Sequence, residues 1–461
     1  MKAAILIDFG STFTKVVVVN MDEAEILLTA RFPSTVKTNA AIGLKQCLEE
    51  AQKVLSKQDY EHAMKLASSS AAGGLRLAVV GISQTLSITA GRNTAFGAGA
   101  KIIKTVSGKL TIEDIEELER LKIEILLFCG GYENGNRSIL YHNAHMLAES
   151  SLVCPIIYAG NSVVASEIRN ILVTSFKECF LAENIIPGVG ELHIEPTEEI
   201  IREVFLKRIV NMKGLDTVKD SLNEVVMPTP AAVLGAGELL ARGTSENPGM
   251  GALLVVDIGG ATTDIHSYIE QSVAEGAKII GVKEPYAKRT VEGDLGMRES
   301  SHTLMEEVGE EFLAKKIGME QQELEQCVVK RMEHTEFIAN SQIEENVDYY
   351  LAKSAAYLSA RRHAGVVEKV WEGGGMAVQR GKNLSDIQCV IGTGGPIVHS
   401  KYAREILLAV ESVGECEREI LLPRKVRCFL DKEYVLYAAG LLKEKDEEVA
   451  LAIMKKSIVE I

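Results

Sequence analysis

No stretch of this 461-residue chain approaches the ~18–20 consecutive apolar residues of a membrane-spanning helix. The N-terminus opens directly on a strand, without the pattern of a signal peptide. Among Cys47, Cys129, Cys154, Cys179, Cys327, Cys389, Cys416 and Cys428 there is no CxxC and no Cys/His pairing at zinc spacing, which argues against a structural zinc site. Most of these cysteines sit in apolar strings such as Leu126-Leu127-Phe128-Cys129 and read as core thiols of a reduced, cytoplasmic protein. The basic footprint of a nucleic-acid binder is missing too: 50 Lys and Arg face 64 Asp and Glu, for a net charge of -14. The acids are spread along helices rather than gathered in blocks, so they solvate surfaces. With 46% hydrophobic residues the chain can fill about two to four globular cores.

What is present is a repeated turn. Ile7-Asp8-Phe9-Gly10-Ser11-Thr12-Phe13-Thr14-Lys15 and Val256-Asp257-Ile258-Gly259-Gly260-Ala261-Thr262-Thr263-Asp264 share one pattern. Each is an apolar strand, an Asp, a glycine turn with hydroxyls, then a second apolar strand. Gly10, Gly259 and Gly260 remove side chains that would hold a phosphate away from the backbone. Successive N–H groups in such a turn form a nest for an anion. Ser11, Thr12, Thr14, Thr262 and Thr263 add hydroxyl donors. Asp8 and Asp257 would repel a bare phosphate, which points to Mg²⁺ held largely through water. One copy alone reads equally well as a tight hairpin with an Asp cap. Two copies point to a duplicated domain whose halves face one anion.

Around these turns the pattern predicts strands at 3–9, 14–20 and 25–31 and a helix at 40–57, the β-β-β-α start of a ribonuclease-H-like unit. Over 66–186, apolar strands at 75–82, 101–106, 123–129 and 155–159 alternate with helices at 84–98, 111–122, 138–151 and 162–174. That alternation implies an inserted α/β lobe with a mostly parallel sheet. Thr111-Ile112-Glu113-Asp114 is a capping-box-like start. Within the lobe, Cys129-Gly130-Gly131-Tyr132-Glu133-Asn134-Gly135-Asn136 follows a strand, where open α/β sheets bind ligands; a plain Gly/Asn turn explains it equally well. A helix is expected at 196–212, and another from Pro228-Thr229-Pro230 through Gly237, rich in small residues that permit close helix contact. Residues 284–371 read as mostly helical. Cys389-Val390-Ile391-Gly392-Thr393-Gly394-Gly395-Pro396 is a strand ending in a third glycine turn, followed by helices at 399–411, 432–443 and 446–457.

This ordered set of motifs resembles the actin, Hsp70 and sugar-kinase superfamily. Ile7–Lys15 is similar to its first phosphate motif, Val255–Asp264 to its second, and Val390–Pro396 to its adenosine motif. Pro228–Gly237 and Tyr434–Leu442 are similar to its two connecting helices. The resemblance implies an α/β fold of two ribonuclease-H-like lobes around a nucleotide cleft. The first lobe would span 1–235 with the α/β insertion at about 66–186. The second would span 236–430 with a helical insertion at about 284–371, and 431–461 would return to the first. Within the superfamily, the two phosphate turns, Ala71-Ala72-Gly73-Gly74 and Glu292-Gly293-Asp294-Leu295-Gly296 resemble the glutamate mutase accessory protein family (MutL/GlmL type), nearly end to end.

The resemblance implies ATP or ADP with Mg²⁺, and a chaperone-like accessory role toward an adenosylcobalamin-dependent amino-acid mutase, such as ATP-driven release of damaged cobalamin. By the same pattern Asp8 and Asp257 would be the catalytic residues and would organise Mg²⁺ and water. Gly10, Ser11, Thr12 and Thr14 would hold phosphate from one side. Gly259, Gly260, Thr262 and Thr263 would hold it from the other. Lys15 would neutralise phosphate charge, or be a solvated strand lysine. Gly392, Gly394 and Gly395 would face ribose and adenine. One departure concerns the start of the first connecting helix, where the superfamily carries an acid or a Gln and this chain has Met227. Met cannot order a water molecule, so hydrolysis is expected to be slow or partner-dependent, unless Glu224 or Glu238 serves. A small-molecule kinase, with Asp294 as base, and a nucleotide-binding scaffold without turnover are the alternatives. An activator of the hydroxyacyl-CoA dehydratase type would need a cluster-ligating cysteine pair, and the scattered cysteines speak against it.

Overall fold

The three N-terminal apolar runs pair as an antiparallel meander, β1 (Ala3–Phe9), β2 (Phe13–Asn20) and β3 (Glu25–Pro33), and β4 (Met64–Ser69) lies parallel to β1. The computed structural model describes residues 1–10, 13–36, 38–69, 75–209, 222, 224–370, 376–414 and 419–461. β1 is buried along its whole length. A central strand covered on both faces has this property, which is why it reads as a continuous apolar run rather than an alternation. Ile5, Ile7, Phe9, Val16 and Val18 share a core with Leu44, Cys47 and Ala51 of the Ala40–Val54 helix. That helix ends short of position 57 because Ser56 starts a separate helix, Lys57–His62, by accepting the Asp59 N–H at 3.1 Å.

Five parallel strands follow: β5 (Arg76–Gly81), β6 (Lys101–Ser107), β7 (Ile125–Gly130), β8 (Ile156–Gly160) and β9 (Cys179–Leu181), in the order β6-β5-β7-β8-β9. Thr111 caps the Ile112–Arg120 helix through the expected box, its Oγ1 accepting the Asp114 N–H at 3.2 Å while the Asp114 carboxylate accepts the Thr111 N–H at 3.0 Å. The helix expected at 84–98 instead opens as a π turn, Gln84–Ile88, before the α-helix Thr89–Gly97. Ser87 Oγ accepts the N–H groups of both Ile82 and Ser83 at 2.9 Å and holds the turn wide.

β10 (Glu224–Pro228) then joins the first sheet beside β4, giving the order β10-β4-β1-β2-β3. After the Thr229–Arg242 helix come β11 (Leu253–Ile258), β12 (Thr263–Tyr268), β13 (Ala277–Ile279), β14 (Ala287–Glu292), β15 (Val366–Val370), β16 (Met376–Arg380), β17 (Cys389–Thr393), β18 (Arg427–Asp431) and β19 (Ile458–Glu460). β13, β16 and β15 form a small separate sheet; the others are ordered β14-β12-β11-β17-β18-β19. Apart from β19, this repeats the first sheet strand for strand: an antiparallel meander whose first strand also pairs parallel with a later one. The chain is thus an α/β protein with two ribonuclease-H-like sheets. Four helices, Ser301–Val308, Glu310–Ile317, Gln321–Glu333 and Gln342–His363, make up the interior of the 284–371 region, with β14 and β15 at its ends. The longest packs Leu351, Ala355 and Ala356 into one core with Val256 and Ile265. The helix expected at 399–411 is broken into Gly395–Val398, Ala403–Leu407 and a 3₁₀ turn at Leu408–Val410, with Ser400 Oγ accepting the Tyr402 N–H at 3.1 Å at the first break.

The described residues divide into two units. The first holds Met1–Ala236, Gly281–Pro285 and Leu436–Ile453; the second holds Gly237–Ile280, Tyr286–Val435 and Met454–Ile461. No described helix is long and apolar enough to cross a membrane. The described cysteines are free, and all but half-buried Cys327 are buried; Cys416 lies outside the described residues.

Small residues do bring two helices together in the first unit. A Cβ on Gly440, in the Val435–Lys443 helix, would lie 2.0 Å from the carbonyl oxygen of Ala232. Gly440→Val is therefore expected to destabilise by about 3 kcal/mol or more, as overpacking against backbone does. Gly293→Ala, where a Cβ meets nothing within 4 Å, is the control. A urea midpoint for Gly440→Val equal to that of the control would refute the close contact.

Candidate functional site

Strand register places chemistry at the carboxyl end of β1. Asp8 stands opposite Lys15 on β2 and opposite Ser68 on β4. Its carboxylate is buried, and Oδ1 accepts from Thr229 Oγ1 at 2.5 Å and from Ser68 Oγ at 3.3 Å. Lys15 Nζ lies 3.6 Å from Oδ2 and is part-exposed, so it is neither an isolated nor a fully solvated cation. The turn itself closes by Gly10 N–H donating to Phe13 O at 3.1 Å, and Ser34 Oγ donates to Gly10 O at 2.6 Å. A Cβ on Gly10 would sit 2.5 Å from Phe13 O, so the residue must be glycine. Ser11 and Thr12 lie outside the described residues, as does Ala71-Ala72-Gly73-Gly74. Thr14 corrects the sequence reading. Strand alternation turns it to the face opposite Lys15, where it is fully buried, its hydroxyl 2.7 Å from the position of a Cβ on Gly43. It lines the core under a helix and does not present its hydroxyl at the turn.

The second turn repeats the first. Gly259 N–H donates to Thr262 O at 2.9 Å, the equivalent of the Gly10–Phe13 bond. Asp257 stands opposite Asp264 on β12 and opposite Thr393 on β17. An Asp and a hydroxyl residue thus recur at matched positions in both sheets. The partner on the meander side differs, Lys15 in one case and Asp264 in the other. Two carboxylates directly across an antiparallel pair would destabilise it. Buried Arg289 on β14 neutralises Asp264, donating to Oδ1 through Nε at 2.8 Å and pairing through Nη2 at 2.6 Å. Asp264 therefore pairs locally. Thr262 Oγ1 donates to Asp264 Oδ2 at 3.1 Å, and buried Thr263 donates to Leu295 O at 2.7 Å, so Thr263 braces the turn from below.

The segment from Glu292 to Glu299 cradles this turn. Gly260 O accepts the N–H groups of Arg298 at 2.7 Å and Glu299 at 2.9 Å, and Met297 N–H donates to Gly259 O at 3.0 Å. A Cβ on Gly296 would lie 2.3 Å from the Ala261 carbonyl carbon. The third glycine turn comes to the same strand end. Gly394, at φ +85°, would place a Cβ 2.2 Å from Ile258 O and 2.7 Å from Asp257 Oδ1, and Gly395 is open. Gly392 is different: a Cβ there would strike Ile397 at 2.7 Å, so its role is packing.

Sequence reasoning missed Thr229 and Ser68. Their signal lay in Pro228-Thr229-Pro230 and in the hydroxyl end of β4, but only the parallel pairing of β4 with β1 and β10 brings them to Asp8. Met227 pairs with Ser68 on β4, just before the helix. Glu238 is bonded to Arg242 at 3.0 Å, and the side chain of Glu224 lies outside what is described. The donor set suits Mg²⁺ rather than a metal that needs an all-protein cage. Mg²⁺ is held by one or two carboxylates, waters and substrate phosphates. Asp8, with one oxygen bonded to hydroxyls and Lys15 near the other, suits contact through water.

A family model described as MutL protein matches residues 4–458. Protein MutL of Clostridium tetanomorphum is 40% identical over 463 residues, covering 100% of both chains. Among solved structures, xylulose kinase from Bifidobacterium adolescentis overlaps at 12% identity and a TM-score of 0.32, covering 99% of this chain and 93% of that one. Ethanolamine utilization protein EutJ from Carboxydothermus hydrogenoformans overlaps at 12% identity and a TM-score of 0.26, covering 98% and 90%. Overlaps that slight carry no argument, and the fold reading rests on the strand order.

Proposed function

The chain belongs to the MutL protein family, and from that premise we propose that it is an ATP-binding accessory protein of an adenosylcobalamin-dependent amino-acid mutase such as glutamate mutase. The observation that carries the nucleotide part is the equivalence of two strand ends. Asp8 and Asp257 each stand near the end of the central strand of an identically ordered meander, each followed by a glycine closing the same turn. Backbone N–H groups of these turns would bind phosphate, with Lys15 adding positive charge at the first and Gly395, open within 4 Å, facing the nucleoside at the second. Mg²⁺ would supply charge neutralisation of the phosphates; Asp8 is the carboxylate of the first unit, and Asp257 that of the second, that would hold it through water.

Turnover in this reading is slow. Met227 offers no hydrogen bond to a water molecule, and the Thr229 hydroxyl is held by Asp8. The kinase alternative gains no support from Asp294. Both its carboxylate oxygens bond Arg362 Nη1, at 2.9 and 2.7 Å, and Glu292 and Glu307 share the same guanidinium. Its oxygens are committed to that cation and do not face an acceptor hydroxyl.

Nucleotide binding is tested by thermal melts with Mg-ATP, Mg-ADP and EDTA. Stabilisation of about 2.7 kcal/mol is expected at a hundredfold excess over Kd; no shift at millimolar nucleotide refutes the reading. The mutase partnership rests on the family resemblance. Inactivated mutase should raise ATP turnover, and ATP should speed exchange of damaged for intact cobalamin. Phosphorylation of a small acceptor with no effect of mutase would make the protein a kinase instead.

A further inference from the structure

The carbonyls of the second glycine turn are taken up by the segment that follows β14. Gly259 O accepts the Met297 N–H at 3.0 Å, and Gly260 O accepts those of Arg298 at 2.7 Å and Glu299 at 2.9 Å. A peptide unit is planar, so the Gly259 carbonyl turns as one body with the Gly260 N–H, and the Gly260 carbonyl with the Ala261 N–H. Those two N–H groups are the ones a phosphate at this turn would take. Neither has a partner among the described residues, and Gly260 is exposed. A phosphate on one side of these two peptides and the segment on the other would polarise the same groups, and hydrogen bonds in such a chain strengthen one another.

Side chains of that segment lead into the helical insertion. Arg298 Nη1 donates to Met297 O at 2.8 Å and lies 3.4 Å from Asp348 Oδ1, and Nη2 donates to Phe337 O at 3.0 Å. Its main chain is thus on the turn while its guanidinium is among the helices. Asp348 Oδ1 also accepts Arg331 Nε at 2.9 Å, and fully buried Arg331 pairs with Glu344 at 2.7 Å. The Arg298 share of Asp348 is long for a charged pair, so it has slack to tighten. At the other end of the segment, Glu292 and Asp294 hold Arg362 at 3.0 and 2.7 Å. The Gln342–His363 helix is therefore tied to the segment twice, through Asp348 and through Arg362. These residues are about 21 Å apart along it at the helical rise, so segment and helix move together or a tie breaks.

We propose that Arg298 is a positioning residue of the second phosphate turn, through which the helical insertion reports whether that turn is occupied. Phosphate on the Gly260 and Ala261 N–H groups strengthens the segment's bonds to the turn, fixes the Arg298 guanidinium on Asp348 and rigidifies residues 321–348. This inference rests on the nucleotide reading and adds to it the place where a partner would sense the nucleotide.

Hydrogen exchange of the full chain, read by mass spectrometry with and without saturating Mg-adenylyl imidodiphosphate, tests this, with binding followed by calorimetry on the same samples. In the wild type the nucleotide should slow exchange at 297–299 and, by about fivefold or more, at 321–348. Arg298→Gln keeps the main-chain N–H on Gly260 and removes the cation that joins Asp348. It should still bind, keep the protection at 297–299 and lose that at 321–348. Asp348→Asn, which leaves Arg298 in place, should lose the same protection. A residue that merely braces the fold would instead raise exchange by the same factor with and without nucleotide. Absence of calorimetric binding to the wild type would remove the nucleotide reading and this inference with it. Binding without protection at 321–348, or protection there that survives either substitution, would overturn the inference and leave nucleotide binding standing. Loss of binding by Arg298→Gln would put Arg298 in the phosphate site itself, and failure of both variants to fold would make it a brace; each overturns the proposal.

Discussion

Asp8→Asn is expected to weaken Mg-dependent nucleotide binding by about tenfold to a hundredfold, the worth of one charged hydrogen-bonding group in a shielded site, while the free protein melts within a few degrees of wild type. Asn keeps an oxygen to accept from Thr229 and Ser68, so the turn remains braced. The charge that would hold magnesium's water shell is removed. Lys15 loses its counter-charge at little cost because it is part-exposed. Asp257→Asn should behave alike, since it occupies the same register position in the second sheet. Calorimetric titration with Mg-ADP, repeated in EDTA, separates the magnesium-dependent part. Unchanged affinity in both variants would place the site elsewhere; unfolding of both would make the two aspartates structural caps.

The second large effect is acid destabilisation of the second unit. His266 is buried, and burial, with Arg289 adding to it against the opposing pull of Asp264, pushes its pKa down to about 3. His363 is buried with Nδ1 2.8 Å from Thr290 Oγ1 and Nε2 2.7 Å from Ser267 Oγ. Burial first, then Lys288, Lys382 and His266, hold it well below the usual histidine range. The sign follows from linkage. Below the ordinary histidine pKa of about 6.5 the unfolded chain binds protons that the folded chain refuses, so stability is full above that pH and falls beneath it. The slope is about 1.4 kcal/mol per pH unit for a histidine that stays neutral in the fold, or about 2 kcal/mol for His266 between pH 6.5 and 4.5, and His363 acts in the same direction. Urea midpoints at pH 7 and 4.5 measure it. His266→Gln should take up about one proton fewer on unfolding; an unaltered pH slope in that variant would show that His266 titrates normally.

The duplicated turn, the inserted α/β lobe and the likeness to the accessory-protein family were all legible in the sequence, because each depends on local chemistry. An Asp before a glycine turn between two apolar runs is readable wherever it occurs. So is the capping box at Thr111, and so are buried parallel strands such as Leu126-Leu127-Phe128. Boundaries failed where a side chain competes with the backbone. Ser56 splits one expected helix, Ser87 widens the start of another, and Ser400 marks a break in a third. β9, β13 and β19, at three residues each, are too short to show a period.

What the sequence by itself determined is which residue types stand at each strand end, and therefore that the chain carries the same Asp-and-glycine turn twice. Tertiary structure alone decided which of them meet. Strand pairing, a long-range choice, set Ser68 and Thr229 on Asp8 and placed Gly394 against Asp257. The alternation of β2 turned Thr14 into the core, and packing made Gly392 a contact glycine rather than an open one. The reversal of crossover direction between β5 and β7, invisible in any local window, set the helix after β5 on the face opposite those after β7 and β8. Register and crossover hand depend on where distant segments bury their apolar faces, and that is settled only when the whole sheet is assembled.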